Sequence, residues 1–158
     1  MKIGIMGDTH GNTYQLNKAM ELLRDCEMVL HTGDFYRDIR TLPIEQQKKI
    51  TAVAGNCDYQ KNIPSEKIID VSGKRLFLCH GHHFGVKTGL NRLYYKALEV
   101  GANIAIFGHT HVPALVEENG IFLVNPGSAS EPRIASEPTC LRLHLQEPFR
   151  SEFLAISS

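Results

Sequence analysis

The stretch Lys2-Ile3-Gly4-Ile5-Met6-Gly7-Asp8-Thr9-His10-Gly11-Asn12 is an apolar run that stops at a carboxylate, an imidazole and a glycine on either side of them. From Thr13 to Asp25 the apolar residues Leu16, Ala19, Met20 and Leu23 recur at helical spacing, so this segment predicts strand, loop, helix. The strand-then-loop unit returns twice. Glu27 to His31 is a second apolar run, broken by Thr32-Gly33-Asp34, and Ile50 to Ala54 is a third, broken by Gly55-Asn56-Cys57-Asp58. Short runs of this kind suit buried strands.

Further along, Ile68 to Val71 and Arg75 to Cys79 flank Ser72-Gly73 as a hairpin whose second strand delivers His80-Gly81-His82-His83. A second helix is expected over Leu90 to Val100, with Leu90, Leu93, Tyr94, Ala97 and Leu98 on one side. Asn103 to Phe107 then forms a strand that ends in Gly108-His109-Thr110-His111. Ala114 to Glu118 and Ile121 to Asn125 flank Asn119-Gly120, the strongest short hairpin signal in the chain. Thr139 to Leu145 and Ser151 to Ile156 make a final pair around Pro148. A first half that alternates strand and helix, followed by a strand-rich second half, predicts a layered α/β fold with two sheets and helices outside them.

At 158 residues and 42% hydrophobic, the chain fits one domain, residues 1–158, with its own core. Seventeen Lys plus Arg balance seventeen Asp plus Glu. No global field draws in a polyanion, which argues against an obligate nucleic-acid partner and leaves room only for a local basic patch. The N-terminal apolar stretch is too short, and too soon broken by Asp8, for a signal peptide or a membrane span. A cytoplasmic protein without a membrane partner is expected. Cys26, Cys57, Cys79 and Cys140 lie far apart with no CxxC pair, which fits reduced thiols rather than a thiolate zinc site or a disulfide framework.

Five apolar runs end in metal-competent residues: Asp8 and His10, Asp34, Asn56, His80, and His109 with His111. In α/β sheets ligands collect at the carboxyl ends of strands, so these endings converge around one point. Residues two apart on an extended segment point to the same side, which lets Asp8-x-His10 and His109-x-His111 each chelate one ion. A lone histidine is most often a satisfied core or surface residue, and either spacing alone is weak. Seven such residues in one pattern reverse that balance.

Gly7-Asp8-x-His10-Gly11, Gly33-Asp34, Gly55-Asn56-x-Asp58, His80-Gly81-His82 and Gly108-His109-x-His111 together resemble the calcineurin-like metallophosphoesterase family, every block in order and across nearly the whole chain. Chain length, Asn56-Cys57-Asp58, Asn125-Pro126-Gly127-Ser128 and Pro132-Arg133 are similar to its small YfcE-like phosphodiesterase branch. The resemblance implies a sandwich of two mixed β-sheets flanked by α-helices. It also implies two divalent ions, one held by Asp8, His10 and His111, the other by Asn56, His80 and His109, with Asp34 bridging. Two ions roughly 3.5 to 4 Å apart clamp phosphoryl oxygens and acidify a water into a nucleophile at neutral pH. The donors are oxygen and imidazole nitrogen, which admits manganese, nickel, iron or zinc; the resemblance points to manganese. Asp34, Asn56 and His109 are also assigned to catalysis, with a small phosphodiester as substrate.

The larger enzymes of the family carry His where this chain has Cys57, and that His protonates the leaving oxygen. General acid catalysis contributes about 10²- to 10⁴-fold, so its loss favours activated aryl phosphodiesters over alkyl phosphates. An inert small residue is the plainer reading of Cys57. Asn12 is either a substrate contact at the first helix start or a simple N-cap, and Arg133 is either a rim contact to an anionic substrate or a structural ion pair. Asp58 is read as capping the following turn in preference to orienting a ligand. His82 and His83 are expected on the rim or behind the ligands, His31 as a packing or hydrogen-bonding residue, His144 as exposed, and Tyr94 and Tyr95 as packing.

Two rival functions stand beside hydrolysis. A retromer subunit similar to this branch in fold departs from the ligand set and serves in protein binding, whereas all seven ligand types are kept here. Some larger relatives cut nucleic acid, against which the balanced charge weighs. Exposed edges of the second-half hairpins leave a homo-oligomer open.

Overall fold

The structure is a computed structural model that describes residues 1–59, 62–133 and 137–156. Two five-stranded mixed sheets face each other. In the first, β1 (Lys2–Met6) runs parallel to β2 (Met28–His31), and β2 parallel to β3 (Ile50–Ala52). Its other half is β9 (Thr139–His144), antiparallel to β1, and β10 (Arg150–Ala155), antiparallel to β9. The second sheet has β4 (Glu66–Val71) antiparallel to β5 (Lys74–Cys79), then parallel β6 (Ile104–Ile106) and β8 (Ile121–Pro126), with β7 (Pro113–Glu118) antiparallel at the edge. The fold is therefore the two-sheet α/β sandwich that the sequence predicts.

Period-two alternation explains the layers. Ile3 and Ile5 of β1, Leu76 and Leu78 of β5, Ile104 and Ile106 of β6, and Leu141 and Leu143 of β9 form the core between the sheets. The alternate residues face outward, where Met6, Val29 and Cys140 meet Leu16, Ala19, Met20 and Leu23 from the region of helix α1 (Thr13–Leu22). On the second sheet Phe77, Cys79, Ala105 and Leu123 meet Leu93, Tyr94 and Ala97 of helix α3 (Asn91–Val100). Both faces of each sheet are thus covered near their centres, and the central strands read as continuous apolar runs for that reason.

Several boundaries differ from the sequence reading. Helix α1 stops at Leu22, because Cys26 N–H closes a turn onto Leu23 O before β2 begins. A 3₁₀ turn over Tyr36–Thr41 and a one-turn helix α2 (Ile44–Gln47) fill the β2–β3 connection without an apolar period to announce them. Tyr94 packs in the core and its hydroxyl oxygen accepts from Asn119 Nδ2, whereas Tyr95 is 65% exposed and touches only the edge of that packing, its ring 5.4 Å from that of Tyr94. His144 is half-buried rather than exposed, with Nε2 3.2 Å from Glu152 Oε2. Among the described residues no helix is long and apolar enough to cross a membrane. Cys26, Cys79 and Cys140 are buried, Cys57 is partly exposed, and all four are free thiols.

Candidate metal centre

The chain leaves the carboxyl ends of parallel strands β1, β2, β3, β5 and β6 through loops that carry Asp8 and His10, Asp34, Asn56, His80, and His109 with His111. Both sheets therefore deliver donors to one end of the sandwich. Asp8, His10, Asp34 and His111 form one group, and Asp34, His80 and His109 a second, with donor atoms within 4.8 Å of one another in each. Asp34 belongs to both. Its Oδ2 lies 3.3 Å from His80 Nε2 and 3.5 Å from His10 Nε2, while Oδ1 accepts the Cys57 N–H at 2.9 Å.

Hydrogen bonds to backbone carbonyls fix which imidazole nitrogens face inward. His80 Nδ1 lies 2.9 Å from Thr32 O and His111 Nδ1 2.7 Å from Glu131 O, so both carry their proton there and turn a lone pair on Nε2 toward the centre. His10 Nε2 faces His111 Nε2 at 3.3 Å, and His80 Nε2 faces His109 Nδ1 at 3.2 Å. Asp8 Oδ1 is buried, with the His111 Nε2 at 3.3 Å and no conventional hydrogen bond among the described residues. Lone pairs and carboxylate oxygens directed at one another in a buried space repel unless a cation lies among them. This donor set fits divalent cations held by oxygen and imidazole nitrogen.

The electrostatics follow from the same packing. Burial alone would raise the Asp34 pKa, yet contact with His80, the Cys57 N–H and the His10 charge hold it well below the usual carboxylate range. Burial opposes a charge on His80 and on His111, but the neighbouring Asp34 and Asp8 carboxylates raise both. His109 is pushed down to about 4, chiefly by burial and then by the positive potential of His80 and Lys87. Cys57 is pushed up to about 11 by burial and then by Asp34, so its sulfur is a protonated thiol at neutral pH.

Backbone strain is concentrated at the same residues. Asp8, His10, Asp34, His109 and His111 all have positive φ, between 45° and 71°. Left-handed backbone at non-glycine residues costs of order 1 kcal/mol each and persists where surroundings hold it. Several groups supply that hold. Asp58 accepts the N–H groups of Asp34 and Gly55 on Oδ2, each at 2.8 Å, and of Tyr36 on Oδ1 at 3.1 Å. Asp38 Oδ2 accepts Thr9 Oγ1–H at 2.7 Å and Gly11 N–H at 2.9 Å. Asn125 Nδ2 donates to Gly108 O and Thr110 Oγ1, and the Ser128 and Ser130 hydroxyls both donate to Asp8 O. The loops approach so closely that a Cβ on Gly55 would collide with Asp34 Oδ1 and one on Gly108 would lie 2.8 Å from Asp8 Oδ2.

Three residues expected to contact substrate stand outside the two donor groups but on the loops that border them. Asn12 is an N-cap, its Oδ1 accepting Gln15 N–H at 3.1 Å. Arg133 is exposed, and its backbone N–H donates to His111 O. Cys57 meets Asp34 through its backbone N–H. Asn56 is exposed beside it, tied to the centre through that same Cys57 contact. Of the two roles expected of Asp58, the bonds fit the orienting of a ligand: from the loop after β3 it clamps the neighbouring Asp34 loop.

The family profile of the calcineurin-like phosphoesterase superfamily domain matches residues 1–148. The chain belongs to this superfamily. It is 33% identical to phosphodiesterase YfcE of Escherichia coli K12 over 158 aligned residues, covering 84% of this chain and 82% of the relative. The crystal structure of a conserved predicted phosphoesterase from Streptococcus pneumoniae TIGR4 superposes with a TM-score of 0.84 at 28% identity, covering 98% of this chain and 88% of that one. Vps29 of Entamoeba histolytica shares the fold alone, with a TM-score of 0.73 at 20% identity over 99% and 100% of the two chains. Membership of the superfamily assigns the chain to metal-dependent phosphoester hydrolysis.

Proposed function

We propose that the chain is a dinuclear phosphodiesterase acting on small phosphodiesters, with Asp8, His10 and His111 holding one ion, Asn56, His80 and His109 the other, and Asp34 bridging. The observation that carries this reading is Asp34 Oδ2, which lies within 3.5 Å of an imidazole nitrogen from each group. Two divalent ions, manganese for preference over nickel, iron or zinc, would supply Lewis acidity and a nucleophile at neutral pH. The chain's own residues do the rest. With an ion on His109 Nδ1, the atom that faces His80 Nε2 at 3.2 Å, its proton would sit on Nε2, where it could meet a phosphoryl oxygen. Asn56 is exposed, with its Nδ2 3.7 Å from Cys57 Sγ, and would turn its amide oxygen to the ion it shares with His80 and His109. Cys57, as a thiol with its pKa near 11, is a poor acid toward an alkoxide, which favours esters with activated leaving groups.

A protein-binding scaffold is the second reading, since Vps29 shares the fold. The convergence of Asp8, His10, Asp34 and His111 donors, and of Asp34, His80 and His109 donors, within 4.8 Å in each group argues against it, because a scaffold has no use for two metal-competent clusters. A manganese-reconstituted screen of phosphodiesters and monoesters tests the proposal, with Asp34→Asn as the control. Turnover of diesters by the parent and its loss in the variant are expected; equal turnover, or none in the manganese-loaded parent, overturns it.

A further inference from the structure

Thr9 stands in sequence between Asp8 and His10, two of the residues assigned above to one ion. Its buried side chain runs into the protein, where the hydroxyl meets His31 and Asp38, both buried as well. The backbone turns left-handed on either side of it, with φ 52° at Asp8 and 45° at His10. The placing of both donors therefore depends on what anchors the residue between them.

A chain of hydrogen bonds passes through that hydroxyl, and backbone amides set its direction from both ends. Gly33 N–H donates to His31 Nδ1 at 3.1 Å, so that nitrogen carries no proton. Burial pushes the His31 pKa down to about 4, and the neutral ring keeps its one proton on Nε2, 3.4 Å from Thr9 Oγ1. The hydroxyl accepts there and donates to Asp38 Oδ2 at 2.7 Å, the nearer of two acceptors, with Phe35 O at 3.4 Å. Asp38 Oδ2 also accepts the Gly11 N–H at 2.9 Å. One end of the chain is thus the residue before Asp34 and the other the residue after His10. Only a group that donates and accepts at once serves at such a junction. A methyl in its place takes a partner from a buried imidazole N–H and from a buried carboxylate.

We propose that Thr9 is a positioning residue for the metal centre: its hydroxyl ties the loop of Asp8 and His10 to the loop of Asp34 through His31, and to the 3₁₀ turn Tyr36–Thr41 through Asp38. The assignment rests on the dinuclear reading given above. Asp8 and His10 share their ion with His111 in that reading, so the hydroxyl governs the affinity for that ion. The ion of Asn56, His80 and His109 feels the change only through the shared Asp34.

Calorimetric titration of the metal-free protein with manganese tests it. The parent takes up two ions in two steps, and Thr9→Val weakens one step about 10- to 100-fold while the other moves by about threefold or less. The weakened step is the one that His111→Ala abolishes and His109→Ala keeps. Thr9→Ser, which restores the hydroxyl, restores the affinity. Asp38→Ala and Asp38→Asn repeat the comparison from the 3₁₀ turn: the first weakens the same step, and the second, which keeps an acceptor oxygen, does not. That pair decides if circular dichroism shows Thr9→Val unfolded. Two steps in the parent that stay unchanged in Thr9→Val and Asp38→Ala overturn the positioning role and leave the dinuclear reading standing. Equal weakening of both steps, or no recovery in Thr9→Ser, makes the role merely structural and overturns it too. A parent that binds fewer than two ions takes down both readings together.

Discussion

Replacing Asp58 should cost the protein both stability and metal affinity, although no part of its side chain is expected to touch a metal. The carboxylate is buried and accepts three backbone N–H groups, two at 2.8 Å and one at 3.1 Å, from the loops after β2 and β3. Asp58→Ala leaves all three donors without a partner, and at about 1 kcal/mol or more for each buried unsatisfied group the loss comes to about 3 kcal/mol. Asp58→Asn keeps one carbonyl oxygen, enough for the Asp34 and Gly55 donors, and turns an NH₂ toward Tyr36 N–H; about 1 to 2 kcal/mol is expected. Because the Asp34 N–H is among those released, the carboxylate proposed to bridge the ions loses its anchor, and manganese affinity should fall about 10- to 100-fold, as for other groups that orient ligands. Urea denaturation of chelator-treated protein reads the first effect and calorimetric manganese titration the second. An Asp58→Ala protein within about 0.5 kcal/mol of the parent, the scatter of ordinary surface substitutions, with unchanged manganese affinity would refute the reasoning.

Asn125→Ala releases Gly108 O and Thr110 Oγ1 beside His109 and His111, and manganese affinity should drop about tenfold in calorimetry with the fold intact by circular dichroism. His31 is buried and its pKa is pushed from 6.5 down to about 4 by burial, so the unfolded chain binds the extra proton and stability falls as pH drops from 6.5 toward 4. Of the full difference, about 2 kcal/mol should be lost between pH 7 and 4.5 in the metal-free protein, and His31→Gln should remove that part of the pH slope. Cys57→His places an imidazole where only a thiol with a pKa near 11 now stands, and turnover of alkyl phosphodiesters should rise about tenfold or more relative to aryl esters. Equal or lower turnover in a folded, metal-loaded variant removes the explanation.

The strands and the ligand loops were legible because each depends on local pattern. Ile3 and Ile5, or Leu76 and Leu78, alternate with residues buried on the other face, and the polar residues that end the runs must sit at the sheet's carboxyl edge once the strands are parallel. The supports were not legible. Asp38 lies in a 3₁₀ turn without apolar period and reaches Thr9 and Gly11 across 29 and 27 residues; its pairing is a tertiary fact. Ser128 was visible only as the end of the Asn125–Ser128 block and Ser130 not at all; that both hold Asp8 O, from 120 and 122 residues away, is likewise a tertiary fact. Tyr95 misled because it neighbours the buried Tyr94 on α3 and one step around a helix turns a side chain from core to solvent. A cleft lined by Ala54, Asn56, Ile63, Ser65, His82 and His83 forms from two connections, those after β3 and after β5, and no spacing rule announces it.

The central claim is that Asp34 joins two ions in one site. Anomalous diffraction from crystals of the manganese-loaded protein, paired with elemental analysis of the same sample, tests it most directly. The account predicts two manganese peaks per chain, roughly 3.5 to 4 Å apart, with Asp34 Oδ2 between them. A single ion, or two ions that do not share Asp34, would contradict it.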